Sequence, residues 1–270
     1  MACASDQCRL SSLSRRGRAF TTVELLIVVS IIAVLLAVMV PALRYGRDMA
    51  LDVKCRANLR VLGTACLAYG ADYRGLYPPL AWWRERPARY FWGTNENPPD
   101  FSRGLLRPYI DVDAGQPDGL YDCPAQPEGS YVPQGAGGVA TTTYGYNGYY
   151  LSPAATPGWA QSIKHRPWRS QYTIQEPGKV FMFADTLMVW GGQVVTNNCL
   201  LDPPWTFSSG KWRKNSSTTL CFRHMGHANV CFADGHVDAV EPTVLTNEEH
   251  MVGYVGESNA PHYVPDWEKW

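Results

Sequence analysis

One carboxylate stands inside an otherwise uncharged run near the start of the chain. It is Glu24, in FTTVELLIVVSIIAVLLAVMVPAL, residues 20–43. An acid at the edge of a membrane span is costly unless a partner neutralises it. Phe20 lies four residues earlier, directly behind a basic segment ending RRGRA. Cleavage between Ala19 and Phe20 would place a positively charged amine at the head of the run. The amine of one copy would then neutralise the carboxylate of the next, which is a chemistry of assembly. A second constellation lies near the C-terminus. His224 is followed by nine residues and then Asp234–Gly235, with His227, His236 and Asp238 alongside. Such residues can ligate a metal, with His224, Asp234 and His236 as the candidates, and imidazole suits zinc, copper or nickel better than calcium. A hairpin turn at Asp234–Gly235, hydrogen-bonded by His224 from a neighbouring strand, explains the same residues without a metal and is the simpler reading.

The chain holds eight cysteines, of which Cys3 and Cys8 precede the cleavage point. Cys55, Cys66, Cys123, Cys199, Cys221 and Cys231 remain, and none forms a CxxC pair, which argues against structural zinc. An exported domain can form disulfides. Cys123 and Cys199 sit in Pro-rich, loop-like surroundings and are the pair to test first, with buried free thiols as the alternative. There is no Gly-x-Ser-x-Gly elbow, no His-Glu-x-x-His helix and no phosphate-binding glycine loop. His165 and His250 are isolated, and Glu248 and Glu249 read as a solvated turn. No enzyme is expected from these residues.

The elements that must position these groups follow from periodicity. Residues 25–40 are free of charge, and the stretch 23–43 approaches the roughly 20 residues that cross a bilayer as a helix. Arg9, Arg15, Arg16 and Arg18 against Asp6 give the leader a net +3, so the zero net charge of the whole chain leaves the mature part near −3. The basic flank keeps the N-terminus cytoplasmic and exports the bulk of the chain. No basic surface is implied, so nucleic acid is not an expected partner. A cleaved secretory signal or a plain signal anchor are the simpler alternatives, but a signal core is shorter and neither needs Glu24. Beyond the span, Cys55, Leu59, Leu62, Cys66, Tyr69 and Tyr73 recur at steps of three and four, one apolar stripe on a helix that must cover a sheet. The spacing predicts a helix from about Phe20 to about Tyr73, bent near Pro41 and ended by Gly75 and Pro78–Pro79.

Residues 80–170 read as loop-rich, with turn formers at 95–100 and 111–118, a Gly-rich stretch at 134–138, and short strands or ordered loops at 121–124 and 141–147. Strands are predicted at 179–185, 218–224, 229–233 and 236–240. With Asp234–Gly235 as a two-residue turn, Phe232 faces Val237 and Val230 faces Ala239. Ten Trp and fifteen Tyr fill a small core or offer platforms for sugar rings. Trp82–Trp83 and Tyr90–Trp92 are the candidates for exposure.

Residues 17–45 resemble the prepilin-type cleavage and methylation segment of type IV pilins and type II secretion pseudopilins. The resemblance implies a leader peptidase that cuts before Phe20 and methylates its new amine. It makes Glu24 the hallmark acid at the fifth mature position and Pro41 the proline at the twenty-second. The family usually has Gly before the cut, where this chain has Ala19; cutting after Gly17 would misplace Glu24. The segment RHMGHANVCFADGHV is similar to the His-x9-Asp-Gly tail of prepilin-processing-associated proteins. The stretches at 54–79 (KCRANLRVLGTACLAYGADYRGLYPP), 121–124 (YDCP), 142–147 (TTYGYN) and 180–185 (VFMFAD) match the same family pattern. Calcium in a C-terminal loop, centred on Asp234, is the cofactor that pseudopilin kinship would imply.

The expected fold is α+β and pilin-like: a long kinked N-terminal helix, transmembrane in its first half, packed on an antiparallel sheet with long loop insertions. The expected domains are a leader at 1–19, an assembly helix at 20–44 and an extracytoplasmic head at 45–270. The head divides into a helical continuation (45–74), loop-rich insertions (75–178), a sheet with its hairpin (179–240) and a tail (241–270). The expected function is that of a pseudopilin-like subunit of a type II secretion or type IV pilus-like fibre. It would be single-pass in the inner membrane, with prepilin peptidase and other pseudopilin copies as partners. The alternative is a membrane-anchored module whose aromatic loops bind glycans or surfaces without polymerising.

Overall fold

The computed structural model describes residues 20–96, 98–110, 119–126, 141–156, 163, 165–191 and 194–270. The leader with Ala19, and the stretches 111–118 and 134–138, lie outside the described residues. The chain forms two compact units, Met1–Gly46 and Arg47–Trp270. One helix, α1 (Thr22–Asp72), runs through both and stays helical across Pro41. Its first part is long and apolar enough to cross a membrane, and every described residue from 20 to 50 is exposed.

The helix starts on a capping box. The Thr21 backbone N–H and hydroxyl donate to Glu24 Oε2 at 2.9 and 2.8 Å, and the Glu24 N–H donates to Thr21 Oγ1 at 3.2 Å. This reciprocal pattern satisfies donors that a helix start leaves free. At the other end the Gly75 N–H reaches back to Gly70 O at 2.7 Å with φ +80° at Gly75, a left-handed helix stop that favours glycine. The predicted stripe is buried at Cys55, Leu59, Leu62, Cys66 and Tyr69. Tyr73 departs from it: half-exposed, it stacks on Tyr69 with ring centroids 4.1 Å apart.

The strands are short. β1 (Ala81–Trp82) pairs with β2 (Arg89–Tyr90). β3 (Tyr144–Tyr146) and β4 (Phe181–Asp185) are antiparallel neighbours. β5 (Met188–Trp190) pairs with β6 (Val194–Thr196), and β7 (Trp205–Ser208) with β8 (Lys211–Lys214). β9 (Leu220–Cys221), β10 (Ala228–Phe232), β11 (Val237–Val240), β12 (Val244–Asn247) and β13 (Val252–Tyr254) complete the order. The central sheet is β11-β10-β4-β3, and β12-β13-β9 forms a second one. The fold is α+β with antiparallel sheets, as expected. β3 falls within 141–147, read from the sequence as a short strand or an ordered loop, and the tail adds β12 and β13, which its sequence did not indicate.

β4 and β10 are buried along their whole length, which is why both read as continuous apolar runs and not as alternating ones. The distal part of α1 crosses them closely. A Cβ at Gly63 would lie 2.4 Å from Cys231 Sγ, so only glycine admits this approach without repacking.

The hairpin register differs by one residue from the expected one. Val230 faces Asp238 and Cys231 faces Val237. The Phe232 N–H donates to His236 O, leaving a three-residue loop with Gly235 alone at positive φ, a turn closed by a glycine bulge. Asp234 Oδ1 caps the loop by accepting from the His236 N–H at 3.1 Å. A two-residue turn with both centres at positive φ occurs instead at Met225–Gly226 (φ 51° and 94°), between His224 and His227.

The aromatic surplus is mostly interior. Tyr90, Phe91 and Trp92 are buried, correcting their place among the exposed candidates. Trp82 and Trp83 are exposed, at 38% and 41%.

Candidate functional site

Four groups with metal-binding or nucleophilic chemistry meet in the interior of the second unit: Cys55, Cys123, Asp185 and His224. Their ligand atoms all lie within 4.8 Å of one another and all four residues are buried. Each comes from a separate segment. Cys55 projects from the buried face of α1. Cys123 sits in the loop 119–126, whose place is fixed by the Cys123 N–H donating to Thr143 Oγ1 at 2.5 Å and the Thr143 N–H donating to Tyr121 O at 3.2 Å. Asp185 ends β4, opposite Tyr144 of β3. His224 opens the Met225–Gly226 turn, where its N–H and carbonyl exchange 3.0 Å hydrogen bonds with His227.

The contacts are close. The Cys55 thiol donates to Asp185 Oδ1 at 3.3 Å. His224 Nε2 lies 3.2 Å from Cys123 Sγ and 3.2 Å from Asp185 Oδ2. The Asn229 N–H donates to Asp185 Oδ2 at 3.0 Å. His224 Nδ1 makes no hydrogen bond and faces Asp52 Oδ1 at 3.6 Å. Asp52 is itself held by Asn229 Nδ2 at 2.7 Å, His227 Nε2 at 3.0 Å and Arg56 Nη2 at 2.9 Å. Arg223 is partly exposed, with Nε and Nη1 buried at the site, and it donates through Nη2 to Thr186 O.

The charges follow from these neighbours. Burial pushes the Asp185 carboxyl up, but His224, Arg223 and the Asn229 N–H outweigh it and hold the group below the usual carboxylate range. Burial opposes the charged form of His224, yet Asp185 and Cys123 push it up to about 10. Burial raises the Cys55 thiol well above its ordinary value. Burial would raise Cys123 too, but Cys55, His224 and Arg223 draw it down to about 7. The arrangement therefore offers two chemistries: a thiolate–imidazolium pair, or a four-donor cage for a soft divalent metal.

Asp52 gives the site a pH dependence. Burial raises its carboxyl, but Asn229, His227, Arg56 and His224 more than offset that and hold it low. A lowered folded value means that its stabilisation is present above the ordinary aspartate range of about 4. It drains away as the pH falls through the folded value. Asp52→Asn is expected to melt at a lower temperature than the parent at neutral pH. It should also lose less further stability between about pH 5 and about pH 3. Melting curves of the full chain in detergent, taken across that range, measure both effects.

The site redistributes the residues singled out in the sequence. His224 does not hydrogen-bond the Asp234–Gly235 turn. It belongs to the buried cluster, whereas Asp234 and His236 pair with each other at 2.6 Å on the surface. The Asp-Gly half of the motif builds the hairpin: a Cβ at Gly235 would meet Leu67 Cδ1 of α1 at 2.8 Å. The Cys123–Cys199 disulfide is not made. All six described cysteines are buried free thiols, and Cys123 Sγ faces His224. Glu24 and Phe20 are exposed in the first unit, with Glu24 bonded to Thr21. Sequence reasoning missed Cys55 as a ligand because it also completes an apolar stripe, and it missed Asp185, Asp52 and Arg223 altogether. One signal was available: the stretches at 54–79, 121–124 and 180–185 and the tail segment, singled out in the sequence for a shared resemblance, each carry one of the four cluster residues. No family model, curated protein or solved structure matches the chain.

Proposed function

We propose that the protein is a pilin-like, membrane-anchored assembly subunit of the type II secretion or type IV pilus class. The observation that carries this reading is the first part of α1. Its apolar side chains between residues 23 and 43 are exposed along their length, with one carboxylate at the helix start. Exposed apolar surface of this extent needs a bilayer or other copies of the same helix around it. The capping box keeps Glu24 at the first turn, where a neighbouring amine could reach it. In this reading prepilin peptidase cuts before Phe20 and methylates the new amine. The helix then leaves the inner membrane to pack among copies of itself, and the head faces the extracytoplasmic side.

Intact-mass measurement of the protein extracted from inner membranes tests this. The expected mass is that of residues 20–270 plus one methyl group. A chain retaining residues 1–19, or one cut beyond the apolar run, would overturn the proposal.

A further inference from the structure

The buried cluster has no part in that assembly chemistry. Its four donors come from four segments of the chain. For zinc bound by two sulfurs, one imidazole nitrogen and one carboxylate oxygen, tetrahedral bonding sets ligand-to-ligand edges of about 3.3–3.8 Å. The approaches of 3.3 Å (Cys55 to Asp185), 3.2 Å (Cys123 to His224) and 3.2 Å (His224 to Asp185) lie at or just below the short end of that range. They fit donors drawn around a common centre.

The hydrogen bonding points the same way. His224 Nε2 lies at equal distance from a sulfur and a carboxylate oxygen, and one ring N–H cannot serve both well. The Cys55 sulfur is similarly shared between the two Asp185 oxygens, at 3.3 and 3.5 Å. A cation at the centre would satisfy all four groups at once. Outside them stands the support that metal-ligating histidines usually have: a carboxylate, Asp52, facing the opposite ring nitrogen, and a backbone N–H on the ligating Asp185. Charge also closes. Two thiolates and one carboxylate around a divalent ion leave one negative charge, and the buried Arg223 guanidinium beside them offsets it. A cavity of about 380 Å³, lined by Leu51, Pro124, Arg223 and His224 among others, leads to the imidazole.

We propose that Cys55, Cys123, Asp185 and His224 bind one zinc ion as a closed, four-ligand structural site that ties α1 to the sheet of the second unit. Zinc keeps its oxidation state. The two thiols and the imidazolium give up three protons to solvent as the metal–ligand bonds form, and Asp185 enters already ionised. A catalytic thiolate is the weaker use of the same geometry. Cys123 is 1% exposed and His224 2%, the Cys123 thiol is not among the cavity walls, and a second thiol competes for the same carboxylate.

The test uses the full chain, purified in detergent from cells grown with zinc. Elemental analysis and native mass spectrometry should find one zinc per chain. A strong chelator should remove it and lower the melting temperature, and added zinc should restore both. Cys55→Ser should bring the metal content to background, whereas Cys231→Ser, a buried thiol outside the cluster, should leave it at one. Asp52→Asn should weaken zinc binding by about 10–100-fold. Where Cys55→Ser does not fold, cobalt substitution of the parent chain takes its place: thiolate-to-cobalt charge-transfer bands with tetrahedral d–d absorption are expected. Any of three results would overturn the site. They are a metal-free chain whose melting does not respond to zinc, a Cys55–Cys123 disulfide in the native protein, or cobalt spectra without thiolate bands.

Discussion

Glu24→Ala should insert in the membrane and be processed like the parent, yet yield no assembled fibre. The size of the effect follows from what Glu24 does alone and in company. In a single chain it completes the capping box with Thr21, a modest contribution to a helix start. That is too little to prevent insertion of a span whose other side chains are almost all apolar. Among packed helices the carboxylate would face the Phe20 amine of a neighbour in a medium poor in water. There a pair of opposite charges attracts about four times as strongly as the same pair in bulk water. Removing Glu24 leaves each incoming amine unpaired, and the cost recurs at every subunit. Glu24→Gln separates the two roles. A glutamine keeps the capping box but carries no charge, so it should also fail to assemble. Sheared-surface fractions and electron microscopy of cells carrying each variant read the outcome. Normal fibres from Glu24→Gln would show that the cap suffices and would remove the charge pairing from the proposal.

How far the sequence revealed the molecule depended on the range of each interaction. α1 was legible to within two residues at its start and one at its end, because a 3.6-residue period and a terminating glycine are both local. The hairpin was legible as a hairpin but not in register. Asp-Gly fits both a two-residue turn and a three-residue loop closed by a glycine bulge. What decides between them is the packing of Gly235 against Leu67, a contact between distant parts of the chain. The cluster was hidden for the same reason. Cys55 and Asp185 are 130 residues apart and Cys123 and His224 are 101 apart, so no ligand-spacing rule brings them together. Cys55 also behaves as a small apolar residue in its stripe, and periodicity cannot separate that role from ligation. Tyr90 and Trp92 misled in the opposite direction, because their Arg- and Pro-rich surroundings look like surface while their rings close the core.

The second large effect is expected at Asp185. It is wholly buried and holds three groups: the Cys55 thiol, His224 Nε2 and the Asn229 N–H. In the metal-free chain, Asp185→Ala removes the anion and leaves the imidazolium of His224 and the guanidinium of Arg223 buried beside each other. Breaking a buried pair from one side costs about 3–5 kcal/mol, a large fraction of the stability of any domain. Asp185→Asn should cost less, since its carbonyl oxygen can still accept from the Asn229 N–H and its shape is unchanged. His224→Ala leaves the complementary defect, a carboxylate that keeps Arg223 as its remaining cation. The double variant Asp185→Ala/His224→Ala loses both charges together, so its destabilisation should fall short of the sum of the singles by about 0.5–3 kcal/mol. Denaturant unfolding of the four chains in detergent closes this cycle. Strict additivity would mean that the two side chains act independently and that the cluster is not one coupled unit.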